Sequence, residues 1–408
     1  MKKRNIKFIE NLGKEIRRKG IAFFFLDERW KDRGDIDVCV SKRDFKKLDS
    51  FLRKKGFIKK TPFRYWKKGY ILYKEGELLC IDVHIGKYEG SPAGILDPEN
   101  TTSMYLSPEK QLFYFIYRIG LRNPIRKYIK YLNKQIKSKK LDYSLLQWYL
   151  GKVFYNEEEI LTCIKKKEFE KIKPKFKISH NIVRLLFFLR NKFFDSLAFL
   201  YRLIRPYQYI VLIGPDGSGK TTLRKEIAQI LSQGKLKVFK EYGGRYSFKY
   251  LKFLNPVIKV INKKGKKLKS NAESSEEVIE HNSTFIKIFS PFIYYFEYLL
   301  RYLFSDFFKR RKGIIIADRH YIDIFVSKNI NKKIAKFLYC LLPKPSFTIL
   351  LYNSPEVLKK RKPSHPEEDI KRQVKEYLKL RKYCDLVIKT DNKKKNMDEI
   401  IRMLVKFL

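Results

Sequence analysis

One stretch constrains the second half of the chain: Gly214-Pro215-Asp216-Gly217-Ser218-Gly219-Lys220-Thr221-Thr222. It fits G-x-x-x-x-G-K-[ST], the pattern of a phosphate-binding loop. The apolar run Tyr209-Ile210-Val211-Leu212-Ile213 ahead of it reads as a buried strand. Behind it, residues 221–231 carry Leu223, Ile227, Ile230 and Leu231 at helical spacing. The glycines let the backbone wrap around phosphate oxygens and turn its N–H groups inward. A helix opening at Lys220 aims its positive end at the same phosphates. In that setting Lys220 bridges β- and γ-phosphates, and the Thr221 hydroxyl holds Mg²⁺. Gly214, Asp216, Gly217, Ser218, Gly219, Lys220, Thr221 and Thr222 are the expected ATP-binding residues.

A chain of 408 residues has room for two or three domains. With 44% hydrophobic and 33% charged residues it reads as a soluble globular protein. Basic Met1-Lys2-Lys3-Arg4 is followed by an amphipathic segment with Glu10 and Glu15, so no signal peptide is expected. Cys39, Cys80, Cys163, Cys340 and Cys384 are scattered and lack a C-x-x-C pair. They read as buried free thiols in a reducing, cytoplasmic compartment. The formal charge of +48, from 91 Lys and Arg against 43 acids, exceeds what phosphate binding needs. It fits either a polyanionic partner, nucleic acid or an anionic membrane surface, or a general lysine bias that only solvates the surface.

From the N-terminus, residues 4–19 read as an amphipathic helix with Ile6, Ile9, Leu12 and Ile16 on one face. Residues 21–26 read as a strand. After Gly34, Asp35-Ile36-Asp37-Val38-Cys39-Val40 reads as a strand opening with two acids. Residues i and i+2 of a strand share a face, so Asp35 and Asp37 point the same way and repel unless a divalent cation neutralises them. A helix over 42–55 and strands over 63–66, 70–73 and 78–85 follow. In the last, Asp82 and His84 share a face. This region, roughly residues 20–90, resembles the nucleotidyltransferase superfamily through Gly34-Asp35-Ile36-Asp37-Val38-Cys39-Val40 and Asp82-Val83-His84. The resemblance implies that Asp35, Asp37 and Asp82 bind metal, with two Mg²⁺ ions aligning a nucleotide's phosphates. The Gly-Ser pair usual ahead of the first acid is missing. Residues 104–205 read as a helical connecting region, with segments at 108–117, 141–154, 157–167 and 182–204. The last is basic and amphipathic, and packing against a neighbouring domain is favoured over a membrane role.

The C-terminal half alternates strands and helices, which argues for a parallel sheet. Strands are expected at 209–213, 236–239, 313–318, 346–352 and 386–389. Helices are expected at 284–308, 355–362 and 397–407. A basic run, 259–269, and an acidic, polar run, 270–280, lie between. Residues 207–408 resemble thymidylate kinase and its relatives through the phosphate loop with Asp216, Asp318-Arg319-His320, Lys240-Glu241-Tyr242-Gly243-Gly244, Asn353-Ser354-Pro355-Glu356 and Tyr377. The resemblance implies that Asp216 and Glu241 lie near the acceptor and its metal, and that Arg319 grips the acceptor phosphate. It also implies a catalytic role for Asp318, substrate contact by Lys240, and Arg361 at the start of a lid over 362–369. Lys240, Tyr242, Arg245 and Asn353 depart from the family's arginine, proline, threonine and aspartate.

The expected fold is α/β: a C-terminal P-loop kinase with a five-stranded parallel sheet (206–408), a helical connecting region (104–205), and an N-terminal α+β nucleotidyltransferase-like domain (1–103). The expected function is ATP- and Mg²⁺-dependent phosphoryl transfer to a nucleoside monophosphate, dTMP-like, or a related small acceptor, in a chain that could pair as a homodimer. Two other readings are a kinase and nucleotidyltransferase acting on nucleic-acid ends, and a non-catalytic ATP-binding switch.

Overall fold

The computed structural model describes residues 2–406 apart from 29, 34, 61–63, 89–90, 93, 101–102, 123–127, 130, 134–135, 137–140, 235, 245–247, 253–283, 328–329 and 392. The side chains at 32, 33, 35, 100, 122, 284–286 and 393–395 also lie outside the description. So do Gly34, Phe63, Arg245, the basic run 259–269 and the acidic run 270–280 named above. The chain is mixed α/β and divides into two compact units, Met1–Leu200 and Tyr201–Leu408.

The N-terminal unit is built on a mixed sheet of β1 (Phe23–Phe25), β2 (Asp35–Val40), β3 (Ile58–Lys59), β4 (Lys67–Lys74) and β5 (Glu77–Ile85). Their order is β1-β2-β5-β4-β3, with β2 and β5 parallel and the other pairs antiparallel. A strand at 63–66 was expected; residues 64–66 lie outside any strand, and β3 pairs with β4 instead. The alternation of side chains splits the unit into two cores. Phe23, Phe25, Ile36, Val38, Leu79, Ile81 and Val83 face α1 (Lys3–Arg18), where Ile9, Leu12 and Ile16 recur on one side, and α3 (Phe45–Lys54). The short α2 (Trp30–Arg33) brings in the buried Trp30.

Phe24, Leu26 and Cys39 face the other way, into a core with α4 (Pro108–Arg122), α5 (Tyr143–Gly151) and α6 (Glu157–Lys165). Helix α5 starts where the Asp142 carboxylate accepts from the Ser144 and Leu145 amides. The described residues between Leu106 and Phe176 therefore pack as a second layer on the N-terminal sheet, within the same compact unit. After them, α7 (Ile178–Ile204) carries Ile182, Leu185, Leu186, Phe188 and Leu189 at exposed positions. Its Phe194 packs edge-on against Trp66.

The C-terminal unit holds an all-parallel sheet of β6 (Tyr209–Ile213), β7 (Val238–Tyr242), β8 (Ile314–Asp318), β9 (Phe347–Tyr352) and β10 (Leu386–Lys389), in the order β10-β9-β6-β8-β7. Strands β6 and β8 are buried along their whole length, as continuous apolar runs in a covered parallel sheet should be. Helix α8 (Lys220–Gln233) follows the phosphate-loop sequence. Helix α9 (Thr284–Arg301) passes through a π-turn at Tyr302–Asp306 into α10 (Phe307–Lys312). Along this stretch Phe289, Phe296 and Phe304 are exposed while Tyr298 lies in the core. Helices α11 (Lys332–Leu341), α12 (Pro355–Arg361), α13 (Glu367–Leu378) and α14 (Lys393–Lys406) complete the unit. The expected lid, 362–369, is a short turn that runs into α13 at Glu367. Of the five cysteines only Cys39 and Cys80 are buried, and Cys340 is exposed. Among the described residues no helix is long and apolar enough to cross a membrane.

Gly120 reports on the second N-terminal core. A Cβ there would lie 2.6 Å from the Phe176 ring. Gly120→Val gains only a few tenths of a kcal/mol in helix propensity, whereas overpacking costs about 1–3 kcal/mol. The variant should lose roughly 2–10 °C of calorimetric midpoint in the transition of the N-terminal unit. An unchanged midpoint would mean that α4 and the 176 segment do not share a close-packed core.

Candidate functional site

The phosphate loop lies at the carboxyl end of β6, between β8 and β9, where the strand order reverses direction. Open parallel sheets bind ligands at such a point. Three loop glycines have backbone angles that side chains rarely allow: Gly214 (φ 147°), Gly217 (φ 83°) and Gly219 (φ 88°). At Gly214 a Cβ would also collide with the Leu351 carbonyl of β9, so only glycine lets the loop sit this close to the sheet. Gly219 is the residue ahead of α8, so the first amides of that helix open towards the loop.

Lys220 is buried beneath the loop. Its ammonium donates to the Gly214 and Pro215 carbonyls at 2.8 Å each and lies 3.9 Å from the Asp216 carboxylate. Burial pulls its pKa down to about 8, the nearby Arg319 charge adds to that, and Asp216, Asp318 and Asp323 oppose it. The Thr221 hydroxyl donates to Asp318 Oδ2 at 2.5 Å. Asp318 Oδ1 and Ser218 Oγ are buried without a hydrogen-bond partner among the described residues. A hydroxyl and a carboxylate with a spare oxygen are hard oxygen donors that fit Mg²⁺, which usually takes one or two protein oxygens besides its waters and phosphates. Thr221 and Asp318 are the residues that would hold it.

Arg319 is left-handed at φ 74°, a strained state for a residue with a Cβ. Two contacts hold the backbone there: its amide donates to the Leu212 carbonyl, and the Gly243 amide donates to the Asp318 carbonyl. The Arg319 guanidinium pairs with Asp216 and donates to the Tyr377 hydroxyl at 3.4 Å. Tyr377 in turn donates to Asp323, whose other oxygen accepts from the His320 amide. His320 is packed against the Tyr209 and Tyr298 rings; burial, with help from Arg301, pulls its pKa down to about 3, so it is a neutral packing residue. Arg361, at the end of α12, bonds to the Gly217 carbonyl at 3.3 Å and to Thr390. These groups enclose a cavity of about 600 Å³, within the range of small-molecule sites.

Of the expected C-terminal residues, the structure brings Asp216, Gly217, Ser218, Gly219, Lys220, Thr221, Thr222, Asp318, Arg319 and Arg361 to the cavity wall. Gly214 holds the loop from behind. Lys240 and Glu241 are not brought there. Strand β7 runs on through Tyr242, so alternation turns Glu241 to the far side, where Lys309 pairs with it. Lys240 is exposed outside the wall, and Tyr242 lines it instead. Lys362, Thr390 and Asn396 are wall residues that the sequence did not single out.

In the N-terminal unit, Asp37 and Asp82 stand opposite each other on the parallel strands β2 and β5. The Asp35 side chain is outside the described residues. The Lys67 ammonium lies 3.0 Å from Asp82 and 3.9 Å from Asp37, and His84 Nε2 is 3.7 Å from Asp37. Above them Arg118 of α4 donates to the Tyr88 and Tyr114 hydroxyls and senses the Asp37 charge. Among the described residues no group of three or more acids, histidines and cysteines gathers to hold a metal. Lys67 offsets one of the two negative charges that the sequence had suggested for a cation.

The Lys220 shift has a testable sign. Phosphates require the ammonium, and in the free protein half of it is lost at about pH 8. ATP dissociation constants should rise about fivefold from pH 8 to pH 9. Lys220→Met should bind weakly with no such rise. The folded state conversely gains stability between pH 8 and the ordinary lysine value of 10.5, because the unfolded chain binds the extra proton there. Binding titrations of a fluorescent ATP analogue across this range decide it, and a flat wild-type profile would refute the assignment.

No protein-family model and no curated protein matches the chain, so its function is argued from this geometry.

Proposed function

We propose that the chain transfers a phosphoryl group from ATP to a nucleoside monophosphate, dTMP-like, or a related small acceptor, as a thymidylate kinase-like enzyme. The observation that carries the reading is the hydrogen bond from Thr221 to the buried Asp318 carboxylate, beside the buried Lys220 and beneath a loop that only glycines can form. Loop amides and the first amides of α8 receive the phosphates. Lys220 exchanges two backbone carbonyls for phosphate oxygens. Mg²⁺, when bound, neutralises charge across the β- and γ-phosphates. Arg319, oriented by Tyr377 and by Asp216, meets the acceptor phosphate. Arg361 supplies charge on the side of the transferred group. Phosphoryl transfer asks mainly for positioning and charge neutralisation, and the cavity offers both.

The N-terminal unit is, on this proposal, an accessory nucleotidyltransferase-like unit. The Asp37–Asp82 pair, with Lys67 beside both acids, supports that likeness.

The test is Lys220-dependent ADP release with Mg-ATP, against nucleoside monophosphates and short 5′-OH oligonucleotides. With the right acceptor, Lys220→Ala should cost about 10²–10³ in kcat/KM. Arg319→Lys should raise KM for the acceptor more than KM for ATP, since an ammonium cannot replace the guanidinium fork. Turnover with oligonucleotides alone would move the assignment to nucleic-acid ends. Tight ATP binding with no acceptor across a broad panel would leave an ATP-binding switch.

A further inference from the structure

The N-terminal unit holds a second cavity, of about 460 Å³, between β4, α4 and α7. Four cations line it, Arg64, Lys67, Arg184 and Arg190; acids outside the wall pair with two of them, Asp195 with Arg64 and Asp82 with Lys67, and Arg184 has no carboxylate among the described ion pairs. Two unit charges about 8 Å apart at an effective dielectric near 20 repel by about 2 kcal/mol, so such a wall favours an anionic occupant.

The cations are fixed in place by neutral groups as much as by acids. The Arg190 guanidinium lies 3.6 Å from the centre of the Trp66 ring and 4.0 Å from that of Phe187. Stacking uses the faces of a guanidinium and leaves its N–H groups in the plane, the geometry that meets oxyanions in pairs. Arg184 stacks 4.2 Å from the Phe176 ring centre and donates to the Asn181 side chain and the Gly120 carbonyl, both uncharged. Lys67 joins this wall to the Asp37–Asp82 pair. Asn191 adds an amide whose oxygen is buried without a hydrogen-bond partner among the described residues. An unpaired buried amide oxygen asks for a donor, such as a ligand hydroxyl.

The geometry points to a binding site for a small hydroxylated phosphate ester, of the sugar phosphate class, with Arg184 and Arg190 taking the phosphate and the Asn191 amide taking a hydroxyl. A cavity of this volume suits a small molecule better than a polymer. The site is independent of the ATP cavity, and of what the C-terminal unit phosphorylates.

Trp66 forms part of the wall, so its emission reports on occupancy. Ribose 5-phosphate titrated into the full chain in EDTA should give a saturable change in tryptophan emission, and inorganic phosphate a weaker one. Trp66→Phe should silence the signal while calorimetry still records binding. Arg184→Gln should weaken binding at least tenfold, and Asn191→Ala about threefold for ribose 5-phosphate but not for inorganic phosphate. Lys220→Ala should leave all of this unchanged. A thermal midpoint near wild type shows that each variant is folded; should Arg184→Gln not fold, the Asn191→Ala contrast decides alone. The proposal fails if no saturable binding is seen by either method. It fails equally if Lys220→Ala abolishes binding, if sulfate at matched ionic strength gives the same response, or if a single-stranded oligonucleotide binds there far more tightly than ribose 5-phosphate.

Discussion

A buried ammonium governs the C-terminal site. Lys220 sits beneath the loop with two backbone carbonyls as its nearest partners. Taking such a charge out of water costs several kcal/mol unless dipoles and counter-charges replace the solvent. The loop can bring two carbonyls to it only by folding tightly over the end of β6, and that fold needs the backbone angles at Gly217 and Gly219 and the bare Cα of Gly214 against β9. The same burial leaves Lys220 with a pKa of about 8, so it holds its proton loosely until an anion arrives. Loop shape, glycine positions and lysine chemistry are one constraint seen from three sides.

The acids around it follow from the sheet. Asp318 ends β8, next to β6, and parallel register brings its carboxylate to the first turn of α8, where Thr221 meets it. The next residue must turn sharply, and Arg319 does so in a left-handed conformation held by backbone bonds to β6 and to Gly243. That turn aims the guanidinium at Asp216 and Tyr377 instead of out along the strand. Strain at one backbone position thus places the one buried arginine of the cavity wall.

Much of this could be read from the sequence, because the signals were local. The apolar runs at 209–213, 313–318, 346–352 and 386–389 match β6, β8, β9 and β10 within a residue or so, and the loop pattern names its own lysine and threonine. Strand β7 was misjudged because Lys240-Glu241-Tyr242 is polar; its pairing with β8, not its composition, carries it on to Tyr242. That two-fold alternation then sends Glu241 to Lys309, away from the cavity. In the N-terminal unit the acids were visible as alternating positions, but their cations were not. Lys67 reaches Asp37 and Asp82 from β4, and Arg118 of α4 comes within range of the Asp37 charge, only once the sheet and its helical layer have formed. Helix α13 was missed because its exposed face is so rich in lysine and acid that the buried stripe is thin, and α11 because exposed Phe337 and Leu341 blur its buried stripe of Ala335, Leu338 and Tyr339.

The two cavities solve the problem of binding an anion by different physics. The C-terminal one relies on backbone amides, a titratable lysine and a hydroxyl–carboxylate pair, so its strength depends on pH and on a divalent ion. The N-terminal one presents guanidinium groups held over aromatic rings and a lysine already committed to two acids. Together they occupy only a handful of the 91 basic side chains, while 43 acids can pair with fewer than half. The remaining surplus is spread along the chain, where it raises the potential around both openings without being part of either. Added salt should therefore weaken the approach of anions to both cavities through this shared field, and leave the short-range contacts inside them nearly untouched.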